Sequence, residues 1–72
     1  MKVLDTKSFG ECLRRRRKDL GYTQAYLSEF SGLSVSFISD IERGKNTAEL
    51  GKALFLANLL GLDCLFQPRG EE

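Results

Sequence analysis

TQAYLSEFSGLSVSFISDIERGK, residues 23–45, decides the fold of this chain. Thr23 is a good N-cap for a helix over Gln24 to Ser31, with Leu27 facing inward. Gly32 ends that helix and permits the positive φ that a sharp interhelical turn requires. Ser34 caps the next helix, where Ile38 and Ile41 form a buried i, i+3 pair, and Gly44 ends it. Only Gly32, Leu33 and Ser34 separate the two helices. Leu27, Leu33, Ile38 and Ile41 therefore make an inner corner, and Ser28 faces it. A larger side chain at Ser28 would push the helices apart.

The outward face of the second helix raises a different question. Ser34, Ser36 and Ser39 place small hydroxyls there beside a lone Phe37, whereas a helix built only for packing rarely uses so many. A helix that lies close against base edges needs short side chains, and hydroxyls can donate to or accept from many bases. Two helices on a tight glycine corner are the helix-turn-helix arrangement, in which the second helix enters the major groove of DNA.

Working outward, Thr6 or Ser8 can cap a first helix, and Ser8-x-x-Glu11 has capping-box spacing. Phe9, Leu13, Arg16 and Leu20 follow at helical intervals with Cys12 beside them, up to Gly21. Asn46 or Thr47 opens a fourth helix, with Glu49 placed to complete a box. Its apolar stripe is Leu50, Ala53, Leu54, Ala57 and Leu60, and Gly61 closes it. LDCLFQP, residues 62–68, is short, apolar and stopped by Pro68, which suits a strand better than a packed helix. MKVL at the N-terminus is a weak second strand candidate, and RGEE at 69–72 reads as a loose tail. The expected architecture is all-α: one domain over 1–72, with a helix-turn-helix core at 6–61 and a strand at 62–68.

Composition excludes several functions. The chain has no His, and Cys12 and Cys64 lie far apart without a CxxC pair, so a structural zinc site lacks ligands. Neither a His base, a metal cluster nor a Gly-rich phosphate loop is present to build an enzyme on. No cofactor and no small-molecule substrate are expected. No stretch has signal-peptide or membrane-spanning character, and both cysteines read as small hydrophobes in a reducing cytosol. The expectation is a cytoplasmic, nucleoid-associated protein with no membrane partner. A net charge of +1 announces no nucleic acid, but Arg14, Arg15, Arg16, Arg17 and Lys18 form one block. That block is either a solvated helix face or a set of phosphate contacts. Chains of this size bury limited surface, and with metal and disulfide set aside, oligomerisation remains as support.

TQ, then L-S, then G-L-S, then I-S-x-I-E-x-G-K in register resembles the XRE-type, lambda-repressor-like DNA-binding domains. The likeness runs from about Phe9 to Gly61, with LRRRRKDLGYTQ ahead of the motif and ELGKALFLANLLGL behind it. The resemblance implies double-stranded DNA as partner and a transcriptional role, and it assigns residues. Val35, Ser36, Phe37, Asp40 and Arg43 match positions that reach bases or the flanking backbone, and Ser39 lies on the same side. Thr23, Gln24, Lys45 and Asn46 fall where these domains hold phosphate. Arg17 and Glu42 match a buried ion pair. Phe37 can instead complete the core beside Ile41, and Asp40 can pair with Arg43 at i, i+3 rather than accept from a cytosine. Arg14 and Lys18 either reach the backbone or are solvated.

Two features depart from the family pattern. Phe30 stands where these domains usually carry a polar residue, which makes it a candidate anchor for another protein. LDCLFQP replaces the usual fifth helix and is similar to the ending of HipB-type antitoxins. That likeness implies a homodimer through Leu62, Cys64, Leu65 and Phe66, an inverted-repeat operator, autorepression, and a HipA-like kinase toxin as partner. The competing readings are a standalone or phage-type XRE regulator and a protein-interaction module that has lost DNA binding.

Overall fold

Each helix starts where a side chain can satisfy its unpaired N–H groups. In the computed structural model, which describes residues 2–70, α1 spans Thr6–Asp19, α2 Gln24–Ser31, α3 Val35–Glu42 and α4 Leu50–Leu59. The cap of α1 is Asp5, not Thr6 or Ser8. The Ser8 N–H donates to the Asp5 carboxylate at 2.8 Å, and the Asp5 N–H donates to the Ser8 hydroxyl at 3.1 Å. Ser8 thus closes the box from inside the helix, where a Glu or Gln more often stands. Donation from the Ser8 N–H and from the Ser8 hydroxyl holds the Asp5 carboxyl below the usual carboxylate range. The Thr6 hydroxyl donates instead to the Gly44 carbonyl at 2.9 Å, tying the start of α1 to the end of α3.

The caps of α2 and α3 are the expected ones. Thr23 accepts from the Tyr26 N–H at 3.0 Å, and Ser34 accepts from the Phe37 N–H at 3.0 Å. Between them Gly32 sits at φ +79, a left-handed conformation that a side chain would resist. The Ser28 hydroxyl donates across the corner to the Leu33 carbonyl at 2.6 Å. That bond satisfies a half-buried acceptor on which the turn would otherwise spend stability.

The fourth helix departs from expectation. No box forms at Asn46 or Thr47; α4 begins at Leu50, and its N-cap Glu49 makes no side-chain bond. Its buried stripe is Ala53, Leu56, Ala57 and Leu60, while Leu50 and Leu54 are exposed. Leu56 was not among the expected inward residues.

The core joins these stripes to Leu13 of α1, Leu27 of α2, and Ile38 and Ile41 of α3. Leu13, Leu27, Ile38, Leu56 and Leu60 are fully buried, each contributing about 1.5–3 kcal/mol. α1 and α3 approach closely at Gly10, where a Cβ would fall on the Ile41 carbonyl oxygen and lie 2.8 Å from that of Glu42.

Past Gly61 the chain stops packing. Leu62 is half-buried against the core, but Cys64, Leu65 and Phe66 are exposed. Residues 62–68 form no strand, nor do residues 2–4 of MKVL, because a strand needs a hydrogen-bonding neighbour that the single chain does not supply there. Among the described residues the fold is four helices without a sheet. Met1 and, in the RGEE tail, Glu71 and Glu72 lie outside the described residues.

Candidate nucleic-acid interface

α3 has one buried face and one open face. Ile38, Ile41 and Glu42 are buried, while Ser36, Ser39, Asp40 and Arg43 follow at i, i+3, i+4 and i+7 on the other side. Ser36 and Arg43 are exposed and Ser39 and Asp40 are half-buried. Val35 opens the helix with 43% of its surface exposed. The open face is thus a narrow row of short polar side chains ending in a guanidinium, with no bulky group to hold it away from a surface.

Phe37 divides its surface between the two roles considered for it. The ring is half-buried and packs against the core, and Lys52 of α4 holds its ammonium 6.0 Å from the ring centroid. α4 thereby brings a cation to the border of the α3 face. Lys52 was not singled out from the sequence; it lies on the outward side of a helix whose start was misplaced.

Asp40 takes the intramolecular option. Its carboxylate accepts from Arg43 at 2.8 Å and from Lys45 at 3.4 Å, and Arg43 also donates to the Ser39 hydroxyl. Lys45 and Asn46 are exposed in the turn after α3, lining a shallow apolar cleft with Val3, Leu4, Phe9 and Leu50.

Behind the open face stands an ion pair. The Arg17 guanidinium donates to both Glu42 oxygens, at 2.7 and 3.0 Å, and to the Tyr22 carbonyl at 2.7 Å. The two side chains are 9% and 4% exposed, so α1 and α3 are joined by a desolvated bidentate contact. Its hydrogen bonds to Glu42 push the Arg17 guanidinium above its ordinary range. Gln24 adds a third member: its amide nitrogen donates to Glu42 at 3.0 Å. One amide hydrogen is thereby used and the other is left, at the start of α2 where the Gln24 and Ala25 N–H groups take no part in the Thr23 cap. Such an array suits an anion. Thr23 is exposed beside it.

The arginine block resolves into different fates. Arg14, Arg15 and Lys18 are exposed, Arg17 is buried, and Arg16 donates to the Leu60 carbonyl at 2.8 Å. The last bond fastens α1 to the end of α4. A run of identical charges gives no signal for it; only the 3.6-residue period separates inward from outward members.

Phe30 is exposed and stacks on Tyr26, with centroids 6.0 Å apart and planes at 9°. Tyr26 in turn leans on Tyr22 at 4.9 Å, so an aromatic row runs from the turn before α2 along that helix. No metal-holding group of His, Cys, Asp or Glu is found among the described residues. No helix is long and apolar enough to cross a membrane.

Residues 13–66 match the helix-turn-helix family. The chain is 38% identical over 62 residues to an uncharacterized HTH-type transcriptional regulator, y4mF, of Sinorhizobium fredii (strain NBRC 101917 / NGR234), covering 86% of this chain and 82% of that protein. Its fold is similar to HipB in a complex with an O4 20mer, with a TM-score of 0.85 at 19% identity over 96% of this chain and 97% of that one. A HipB variant in complex with an O2 20mer gives the same TM-score at 20% identity, over 96% of each chain. The glycine corner, the capped α2 and α3, and the Arg17–Glu42 tie stand inside the matched region, and on these grounds the chain belongs to the XRE-type helix-turn-helix family of DNA-binding transcriptional regulators, and not to an enzyme family.

Proposed function

We propose that the protein is a repressor that binds an inverted-repeat operator in double-stranded DNA as a homodimer. The observation that carries this reading is the open face of α3, Val35, Ser36, Ser39, Asp40 and Arg43, projecting away from the core between two phosphate-suited sites. α3 enters the major groove, and short side chains let it approach base edges. Gln24 and the α2 N-terminus hold phosphate on one side, helped by Thr23. Lys45 and Asn46 hold it on the other, with the edge of Phe37 against a thymine methyl or a sugar.

The homodimer reading is supported by the unpaired segment after Gly61. Leu65 is 78% exposed and Phe66 fully exposed, and their burial against a second copy would pair the two segments as strands. Two recognition helices would then lie about one DNA turn apart. Joining half-sites raises effective affinity without new base contacts. The same ending supports the antitoxin reading, in which a HipA-like kinase toxin is the protein partner. The exposed rings of Tyr26 and Phe30 give such a partner an apolar surface on α2. Without a toxin the protein is a standalone XRE regulator.

Selection of bound duplexes from random DNA, followed by anisotropy titration, tests the central reading. An inverted repeat should emerge, and Gln24→Ala with Arg43→Ala should weaken binding at least tenfold and flatten its salt dependence by about one charge. Unchanged affinity in that double variant would favour a protein-interaction module that keeps the fold without using it on DNA.

A further inference from the structure

The cations nearest the recognition helix are held by a carboxylate that belongs to the same face. Asp40 accepts from Arg43 with one oxygen and from Lys45 with the other. Arg43 is pinned a second time by the Ser39 hydroxyl. The side chains remain open to solvent, at 69% for Arg43, 53% for Lys45 and 28% for Asp40. This is a closed set of three charges at the border of the proposed DNA face, where two cations together carry the excess of one.

We propose that Asp40 is a latch on Arg43 and Lys45 that suppresses binding to DNA of the wrong sequence. The inference rests on the DNA-binding reading and deepens it. Non-specific binding is almost wholly neutralisation of phosphates by Lys and Arg, so a cation already paired has less to offer. Phosphate that draws Arg43 or Lys45 away breaks these pairs and returns nothing to the Asp40 carboxylate. In a matching site the exchange closes differently. Arg43 reaches a guanine edge or a positioned phosphate, and Asp40 accepts from a cytosine amino group. Wrong sequences break the pairs without replacing them, whereas the right sequence replaces them, which widens the difference between the two. Exposed ion pairs couple weakly, so the latch opens without preventing specific binding. On wrong sequences Asp40 acts through its two cations, and it touches a base only in the matching site.

The test is Asp40→Asn, alone and in an Arg43→Gln/Lys45→Gln background, measured on the full chain with a mixed-sequence duplex and with the selected operator. Asp40→Asn should tighten binding to the mixed-sequence duplex about threefold to tenfold at low salt, and steepen the log–log salt slope by about one. Operator affinity should rise less, so the ratio of specific to non-specific binding falls. In the double-Gln background the same change should move non-specific affinity less than about twofold. An undiminished gain there would mean that Asp40 repels phosphate directly, and it would overturn the latch. An unchanged salt slope on the wild-type background would overturn it too. If the wild-type protein binds no duplex at all, the DNA reading falls and the latch with it. A protein that binds its operator but shows no Asp40 effect removes the latch alone.

Discussion

Glu42 shows how one carboxylate can organise a fold. It is 7% exposed, yet both oxygens are occupied by Arg17 and one also by Gln24. A buried charge with a full set of donors is tolerated, whereas a buried charge that loses its partner is strongly unfavourable. Glu42→Ala should therefore lower stability by about 3–5 kcal/mol, a large share of a small domain's total. Replacing both partners, as in Arg17→Met with Glu42→Leu, should restore most of that in urea unfolding. A double variant as unstable as the single one would show that the pair contributes net stability rather than specificity of packing. The Arg17 guanidinium adds no pH dependence in the physiological range. A guanidinium whose pKa rises on folding contributes its stability at every pH below its ordinary range and loses it only in strong alkali. Arg17 and Glu42 were legible as partners through the family pattern. The link to Gln24 was not, because it depends on how α2 is turned.

At the level of helices, caps and glycines carried most of the signal. Thr23, Gly32 and Ser34 stand where expected, since an N-cap hydroxyl and a left-handed turn are local requirements written in single residues. The starts of α1 and α4 were less legible. Ser8 carries a cap-like side chain but serves inside the helix, because Asp5 precedes it and accepts its N–H. Asn46 and Thr47 look like caps yet stay outside α4, whose register is set by Leu56 and Leu60 reaching the core. The backbone approach of α1 and α3 at Gly10 was not legible. Gly10 sits in mid-helix, where Ala would ordinarily be better by about 1 kcal/mol. Here a Cβ meets backbone rather than a flexible side chain. Overpacking of about 1–3 kcal/mol should outweigh the helix gain, so Gly10→Ala should lower the melting temperature by several degrees. A higher melting temperature would mean that the two helices can part without loss.

The whole molecule is less condensed than its helices suggest. Its radius of gyration is 12.4 Å, against about 11 Å for a compact chain of this length. The residues after Leu62 run out with Leu65 and Phe66 uncovered. Leu50, Leu54 and Phe55 add further apolar surface on the outer side of α4. On the proposed homodimer reading this surface is where the second copy packs. Truncation after Gly61 should give a folded monomer whose operator affinity falls by at least a hundredfold, read by sedimentation and anisotropy. A truncated protein that still sediments as a dimer would move the interface away from this segment. The sequence marked 62–68 as strand-like because its residues favour that conformation. Whether a strand forms is decided by a neighbour, and no chain carries that information about itself.

The near-touch of α1 and α3 at Gly10 has a consequence for redesign. Main chain rests on main chain there, so the tilt at which the third helix is presented is fixed by a mount that core side chains do not adjust. Val35, Ser36 and Ser39 stand on the far side of that mount, and exchanging them leaves it undisturbed. On the proposed DNA-binding reading, new preferences can therefore be written as substitutions in this row, like changing type in a frame that keeps its angle.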